Sequence, residues 1–239
     1  MNVPLIAIDG PAGCGKSTVA DALARELSGV MFSSGLIYRG ATYAALEGGI
    51  DLQDPSALLK LLSREPLDVV RDGLELRVHV DGVDPGAALH SRRVTAEIHW
   101  LADDPEVRDR LLPLQRELIR RDFACAGPIV VEGRDIGTVV FPDATLKVFL
   151  TATVDERARR RVEQLRREQG DEVAFEDVRS EVEQRDRFDR ERAVAPLLAA
   201  DDARTVDTTG IDTEEVLRRI LAGTEWERPA DWRWKPGAR

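Results

Sequence analysis

One eight-residue segment near the N-terminus constrains the fold of this chain more than any other feature. It runs from Gly10 to Ser17 and fits the pattern G-x-x-x-x-G-K-[ST]. A short apolar run, Leu5–Ile8, precedes it, and apolar residues at helical spacing follow it as far as Gly29. A strand, a glycine loop and a helix in this order predict a P-loop, in which backbone N–H groups and a helix N-terminus face a polyphosphate. A chance match in a glycine-containing turn would not explain both flanks.

The motif predicts a role for its residues. The glycines let the backbone approach phosphate groups without a Cβ in the way. Lys16 is expected to reach the β- and γ-phosphates, and Ser17 to offer its hydroxyl to Mg²⁺. The predicted nucleotide-binding residues are Gly10, Pro11, Ala12, Gly13, Cys14, Gly15, Lys16, Ser17 and Thr18.

Length and charge exclude several classes of protein. The 239 residues suffice for one domain with an inserted subdomain. The formal net charge of −10 argues against general nucleic-acid binding, which requires a basic surface. The chain has no run of about eighteen apolar residues, so we expect no membrane span. The first strand begins too early for a signal peptide, and there are only two cysteines, so we expect a cytoplasmic protein.

The rest of the chain alternates between strand and helix patterns. Apolar runs at 30–32, 128–131, 146–150 and 204–206 predict four more strands. Such alternation favours an α/β fold in which a five-stranded parallel sheet has helices on both faces and ligands at its carboxyl edge. Period-two alternation between 67 and 83 predicts a small antiparallel β insert.

Two segments place polar groups at the predicted ligand edge of the sheet. Ser34 opens a helix with Arg39 one turn later, an arrangement that either holds a phosphate or only caps the helix. Glu132 ends a buried strand and is a candidate ligand for Mg²⁺. Arg134 and Asp135 follow it, either facing the same crevice or forming a surface ion pair.

A third segment is an arginine-rich helix. Arg185, Asp189 and Arg192 share one helical face because they are spaced i, i+4 and i+7. Asp189 could hold both arginines while they clamp a phosphate, and the alternative is a solvated charged face. An upstream run of arginines at 157 and 159–161 leaves the same choice open.

Together these motifs resemble the bacterial cytidylate kinases, a family of nucleoside monophosphate kinases, over nearly the whole chain. The P-loop is generic, but GRDIGTVVFP at 133–142 and RAVAPL at 192–197 are specific to that family. Residues 8–18, 34–39, 105–108, 156–161 and 185–191 also match it. The β insert resembles the extended monophosphate-binding region of the family.

The resemblance implies the nucleoside monophosphate kinase fold and its activity. The implied kinase domain spans 1–225, with a core at 1–32, 104–150 and 195–225, a monophosphate-binding region with the β insert at 33–103, and a short helical lid with arginine-rich helices at 151–194. A tail at 226–239 would follow. The implied reaction is transfer of the γ-phosphoryl group of ATP, with Mg²⁺, to CMP or dCMP. We expect a monomer with neither nucleic-acid nor membrane partners.

The resemblance also implies roles for individual residues. The implied catalytic residues are Lys16, Arg134, Arg157, Arg161 and Arg192. The implied substrate-binding residues are Ser34, Arg39, Arg108, Arg134, Asp135, Arg185, Asp189 and Arg192. Within that set, the CMP phosphate would contact Arg39, Arg134 and Arg192, the ribose would lie near Arg185 and Asp189, and the base would lie between Arg108 and Asp135. Arg157 and either Arg160 or Arg161 would belong to the lid, and the predicted metal ligands are Ser17 and Glu132.

Two residues depart from the family pattern. Ser33 stands where the family usually has Asp, and His99 stands near the base where we expect a small hydroxyl residue. Another P-loop kinase of small molecules, such as shikimate, gluconate or thymidylate, remains an alternative. A regulatory GTPase does not, because Asn2 is the only asparagine and the guanine-reading motif Asn-Lys-x-Asp cannot occur.

Overall fold

Seven β-strands and nine α-helices make up the described part of the chain. The structure, a computed structural model, describes residues 3–120, 127–169 and 173–228. The strands are β1 (Leu5–Asp9), β2 (Val30–Ser33), β3 (Leu67–Asp72), β4 (Glu75–Val80), β5 (Ile129–Gly133), β6 (Leu146–Thr151) and β7 (Arg204–Asp207). The helices are α1 (Lys16–Glu26), α2 (Gly35–Glu47), α3 (Pro55–Leu62), α4 (Arg92–Glu97), α5 (His99–Ala102), α6 (Pro105–Arg120), α7 (Val154–Gln169), α8 (Phe175–Glu191) and α9 (Thr213–Leu221). A 3-10 turn (Gly86–His90) precedes α4, and a π-helical turn (Ile136–Val140) follows β5.

All seven strands form one sheet, in the order β3-β4-β2-β5-β1-β6-β7. The five strands expected from the sequence are consecutive and parallel in it, from β2 to the edge strand β7, but the expected total of five is wrong. The β insert is not separate, because β4 continues the sheet beside β2 through the parallel pair Met31 and Glu75. β3 then closes that edge as the antiparallel partner of β4. The sequence pattern of β3 and β4 is that of a hairpin and does not show that the hairpin joins the main sheet. Without β4, however, the edge of β2 would carry unpaired backbone groups.

Helices cover both faces of the sheet, as expected. Along β1, Leu5 and Ala7 face the apolar cluster that contains α2, α3 and α6, whereas Ile6 and Ile8 face the cluster that contains α1 and α9. Burial on both faces explains why the central strand is a continuous apolar run rather than an alternating one. It also leaves the ends of the strands as the accessible places for a ligand.

The P-loop begins at the carboxyl end of β1, where there is no room for a side chain on its first residue. Gly10 has a φ of 151°, and a Cβ on it would lie 2.2 Å from the carbonyl oxygen of Leu150 at the end of β6. α1 then begins at Lys16, directly after Gly15 in the left-handed region. The predicted order of strand, glycine loop and helix is confirmed.

The arginine-rich region forms two helices that pack against each other, α7 and α8. They have 16 and 17 residues and lie within 151–194, the region expected to carry the lid and the arginine-rich helices. On the exposed side, Arg179 Nε of α8 donates to Asp155 Oδ1 of α7 at 2.8 Å. None of the helices in the described ranges is both long and apolar enough to cross a membrane.

The first residues of the predicted tail contact the domain. Trp226 packs against the cluster of α1 and α9, and Arg228 Nε donates to Glu26 Oε1 at 2.8 Å. The rest of the predicted tail, 229–239, lies outside the described residues.

Candidate active site

Side chains hold three carbonyl oxygens of the P-loop. Lys16 Nζ donates to Pro11 O at 2.8 Å, Arg157 Nη1 to Ala12 O at 3.2 Å, and Thr208 Oγ1 to Cys14 O at 3.0 Å. Each of these contacts directs a carbonyl toward a protein donor. The loop can therefore present N–H groups, rather than carbonyl oxygens, to a bound anion.

The ammonium group of Lys16 is buried, with 6 % of the residue exposed. Burial lowers the pKa of Lys16, and the positive charge of Arg134 lowers it further, while Glu132 and Asp189 act in the opposite direction. These cations and carboxylates therefore lie close to one another. A bound phosphate would stabilise the charge of Lys16, which burial disfavours.

Two hydroxyls converge on Glu132 at the end of β5. Its Oε1 accepts a hydrogen bond from Ser33 Oγ at 2.5 Å and another from Ser17 Oγ at 3.3 Å. The predicted metal ligands, Ser17 and Glu132, are thus brought together. A carboxylate and a hydroxyl are hard oxygen donors of the kind that Mg²⁺ prefers, so this pair fits a magnesium ion. Ser33, where the family usually has Asp, gives Glu132 a hydrogen-bond donor instead of a second negative charge.

Arg134 and α8 meet through Asp189. Arg134 Nε donates to Asp189 Oδ2 at 2.9 Å, and Arg185 Nε lies 3.3 Å from Asp189 Oδ1. Burial alone would raise the pKa of Asp189, but the charges of Arg134, Arg185 and Arg192 lower it, so the carboxylate stays ionised. The predicted face of α8 is therefore turned toward the sheet edge and is not simply a solvated surface.

Arg192 ends α8 beside this cluster. Its Nη2 donates to Ala195 O at 3.0 Å, and its Nε is buried without a partner among the described residues. A buried cationic N–H that lacks an acceptor is costly, and an anionic ligand would supply one.

Arg108 and Asp135 form a buried ion pair between α6 and the turn after β5. The guanidinium of Arg108 also lies 5.5 Å from the centre of the Tyr38 ring. Burial raises the pKa of Tyr38 to about 12, although Arg108 and Arg192 oppose the shift, so its hydroxyl stays protonated. Tyr38 therefore lies beside the predicted base-binding pair.

Asp9 fixes the turn that carries Asp135, a function that the sequence reasoning missed. Its two carboxylate oxygens accept hydrogen bonds from Ile136 N at 2.8 Å and Gly137 N at 2.7 Å. Burial raises the pKa of Asp9 to about 6, and those two hydrogen bonds lower it. The sequence does contain a signal for this role of Asp9, because an acidic residue ends a buried strand directly before the P-loop.

Two predicted residues make their side-chain hydrogen bonds away from the P-loop and from the cluster around Asp189. Arg39 Nη1 donates to Leu89 O of the 3-10 turn at 2.9 Å and to Thr95 Oγ1 of α4 at 3.0 Å. Arg161 is exposed and donates to Gln164 Oε1 on its own helix at 3.0 Å. Its neighbour Arg160 lies nearer the P-loop, because its Nη1 would be 3.7 Å from a Cβ on Gly15.

Arg157 is 2 % exposed, and its guanidinium binds the P-loop carbonyl of Ala12 and the carboxylate of Asp186. Ser34 is buried, but its side chain makes no capping hydrogen bond to α2, so the simple capping alternative does not hold. His99 is exposed at the start of α5, where its Nδ1 lies 2.9 Å from Ala96 O.

A P-loop beside a second cluster of arginines at the same sheet edge is the arrangement of a P-loop phosphotransferase. The profile of the family described as "Cytidylate kinase" matches residues 6–225. The chain is 45% identical over 217 residues to a cytidylate kinase of Shouchella clausii, covering 90% of this chain and 93% of the relative. It is 43% identical over 227 residues to a cytidylate kinase of Streptococcus agalactiae, covering 94% and 97%. The chain therefore belongs to the cytidylate kinase family.

A solved structure agrees at the level of the fold alone. TT1252 from Thermus thermophilus gives a TM-score of 0.50 at 21% identity, covering 93% of this chain and 98% of that chain.

Proposed function

We propose that this chain transfers the γ-phosphoryl group of ATP to CMP or dCMP, giving ADP and CDP or dCDP. One observation carries this assignment beyond the family relationship. Arg134 directly follows Gly133 of β5, which pairs with Asp9 immediately before the P-loop that carries Lys16. Cations for a donor nucleotide and for an acceptor phosphate are thus adjacent.

The chemistry requires charge compensation more than proton transfer. Both substrates are anions, so their mutual repulsion must first be offset, and Lys16, Arg134 and Arg192 supply positive charge for this. A phosphate oxygen of CMP is itself the nucleophile, so no strong general base is needed. Catalysis then consists of positioning and of electrostatic stabilisation of the transferring phosphoryl group.

Ser17 and Glu132 would hold Mg²⁺. When bound, the ion supplies charge to the β- and γ-phosphates. Replacing Glu132 by Gln should weaken Mn²⁺ binding to the complex of the enzyme with ADP, measured by electron paramagnetic resonance. Unchanged Mn²⁺ binding would remove Glu132 from the metal site.

Base recognition would use the pair of Arg108 and Asp135. Cytosine offers the N4 amino group as a donor and N3 as an acceptor. An ionised Asp135 only accepts and Arg108 only donates, so both match cytosine. Uracil presents the reverse pattern, and Ser34 would lie near the pair.

A turnover panel tests the assignment. With ATP and Mg²⁺, we expect CMP and dCMP to be phosphorylated far faster than UMP, AMP, GMP, shikimate or gluconate. A preference for shikimate or gluconate would show that the chain is another kind of P-loop kinase. The expectations of a monomer and of a cytoplasmic location stay predictions.

A further inference from the structure

Arg157 belongs to the first turn of α7, and its side chain is buried between the P-loop and α8. All three of its side-chain nitrogens donate hydrogen bonds: Nε to Ala152 O at 3.0 Å, Nη1 to Ala12 O at 3.2 Å, and both Nη1 and Nη2 to the carboxylate of Asp186. The bidentate contact to Asp186 has distances of 2.7 and 2.6 Å. A guanidinium engaged in this way holds protein groups in place.

The backbone of α7 lies equally close to the P-loop. A Cβ on Gly13 would come within 3.1 Å of Arg157 Cβ and 3.2 Å of Arg157 O. The first turn of α7 therefore packs directly on a P-loop glycine. A shift of this turn would move Ala12 and Gly13, because steric contact and a hydrogen bond act on the same two residues.

α8 connects this contact to the proposed acceptor site. Asp186, which binds Arg157, and Asp189, which binds Arg134, are three residues apart and both are buried. Residues at this spacing lie on adjacent turns of one helical face, so a rigid displacement of α8 moves both carboxylates. One helix thus contacts the P-loop through one ion pair and the cluster of Arg134 through another.

We propose that the pair of Arg157 and Asp186 couples the two nucleotide sites, so that occupation of the P-loop strengthens CMP binding and the reverse. Arg157 and Asp186 are positioning residues in this scheme, since they act through Ala12 and through α8. The inference rests on the proposed function, because it assumes that CMP binds at Arg134 and α8. Coupling of this kind is reciprocal and is measured as a ratio of dissociation constants.

Calorimetry gives that ratio directly. The dissociation constant of CMP is measured with and without the non-hydrolysable analogue AMP-PNP and Mg²⁺. For the wild type we expect AMP-PNP to tighten CMP binding about fivefold or more, within the usual range of coupling between sites. In Asp186→Asn we expect the ratio to fall to about one, because the neutral amide cannot form the charged bidentate contact with Arg157.

The chain contains a matched control. Asp155 and Arg179 form another ion pair between α7 and α8, with side chains that are 53% and 37% exposed. Asp155→Asn removes a carboxylate from the same two helices without touching a group that contacts the P-loop, so its ratio should match the wild type. Arg157→Lys provides a second test variant that keeps the charge but loses the bidentate geometry, and it decides the question if Asp186→Asn does not fold.

The outcomes separate the two proposals. A ratio of one in the wild type, an unchanged ratio in the folded test variants, or an equal loss in Asp155→Asn would each overturn the coupling role while leaving the kinase assignment intact. A wild-type protein that binds no CMP in either state would instead overturn the proposed function.

Discussion

Arg134 Nε donates to Asp189 Oδ2 across 2.9 Å, which ties the end of β5 to α8. The side chain of Asp189 is 3% exposed, whereas that of Arg134 keeps 24% of its surface. Asp189 therefore holds the guanidinium from behind and leaves part of it open. The charges of Asp189 and Glu132 raise the pKa of Arg134 against the effect of burial, so it remains a cation for an incoming phosphate.

Arg192→Ala should damage the use of CMP much more than the binding of ATP. Loss of a charge-assisted hydrogen bond costs about 1.5–3 kcal/mol, so KM for CMP should rise about tenfold or more. Calorimetric titration with CMP and with AMP-PNP distinguishes the two sites. Arg187→Ala, which removes an exposed arginine from α8 directly before Arg192, serves as the control. Equal CMP affinities in the wild type and in Arg192→Ala would contradict this role.

Lys16→Met should reduce turnover at least about a hundredfold, because one preorganised cationic group is worth about 3 kcal/mol in such a site. The variant should keep its thermal midpoint, since folding lowers the pKa of Lys16 and removal of this buried charge does not cost stability. Steady-state kinetics and thermal unfolding check the two parts. Lys60→Met, at an exposed position of α3, should change neither quantity. Near-normal turnover in folded Lys16→Met would exclude the lysine from the mechanism.

Asp135→Asn should narrow the preference for CMP over UMP. In the wild type, uracil would leave two buried groups unpaired at about 1–3 kcal/mol each, a penalty of tens- to thousands-fold in kcat/KM. An amide can turn its NH₂ group toward O4 of uracil and relieve part of it. Asp143→Asn is the matched control. Asp143 pairs with Arg120, which lies on α6 as Arg108 does, but this ion pair is on the exposed surface. Equal use of UMP and CMP by the wild type would show that Arg108 and Asp135 do not read the base. His99 would then be the next residue to test for a role in base recognition.

The local parts of this site could be predicted from the sequence, because each depends on residues that are adjacent in the chain. The glycines and Lys16 identify the P-loop. The spacing of Arg185 and Asp189 predicts that these two residues lie on one helical face. Contacts between residues that are distant in the chain could not be predicted from local sequence patterns. The partner of Arg157 lies 29 residues away, and nothing in a run of arginines distinguishes the buried one from its exposed neighbours. The joining of the β insert to the main sheet likewise depends on one contact of Met31 across chain segments.

The pH dependence of stability should reveal Asp9. Folding raises its pKa from 3.8 to about 6, so the folded state holds this proton more tightly than the unfolded chain. Its contribution to stability is complete below about pH 4 and is lost as the pH rises through about 6. The free energy of unfolding of the wild type minus that of Asp9→Asn should therefore fall by about 2 kcal/mol from pH 4 to 7.

Denaturant titrations at several pH values measure this difference, in which the other titrating groups cancel. A difference that stays flat or rises with pH would be inconsistent with the raised pKa of Asp9.

The P-loop owes part of its polarity to residues far outside its own eight positions. Arg157 and Thr208 bind the carbonyls of Ala12 and Cys14 from 145 and 194 residues further along the chain. A peptide carbonyl turned toward a triphosphate would repel it. A graft of Gly10–Ser17 onto another α/β scaffold would transfer the glycines and the lysine but leave these two donors behind. Such a graft would inherit the shape of the loop without its full affinity for anions, so a transplant would have to include the partners from α7 and from the end of β7.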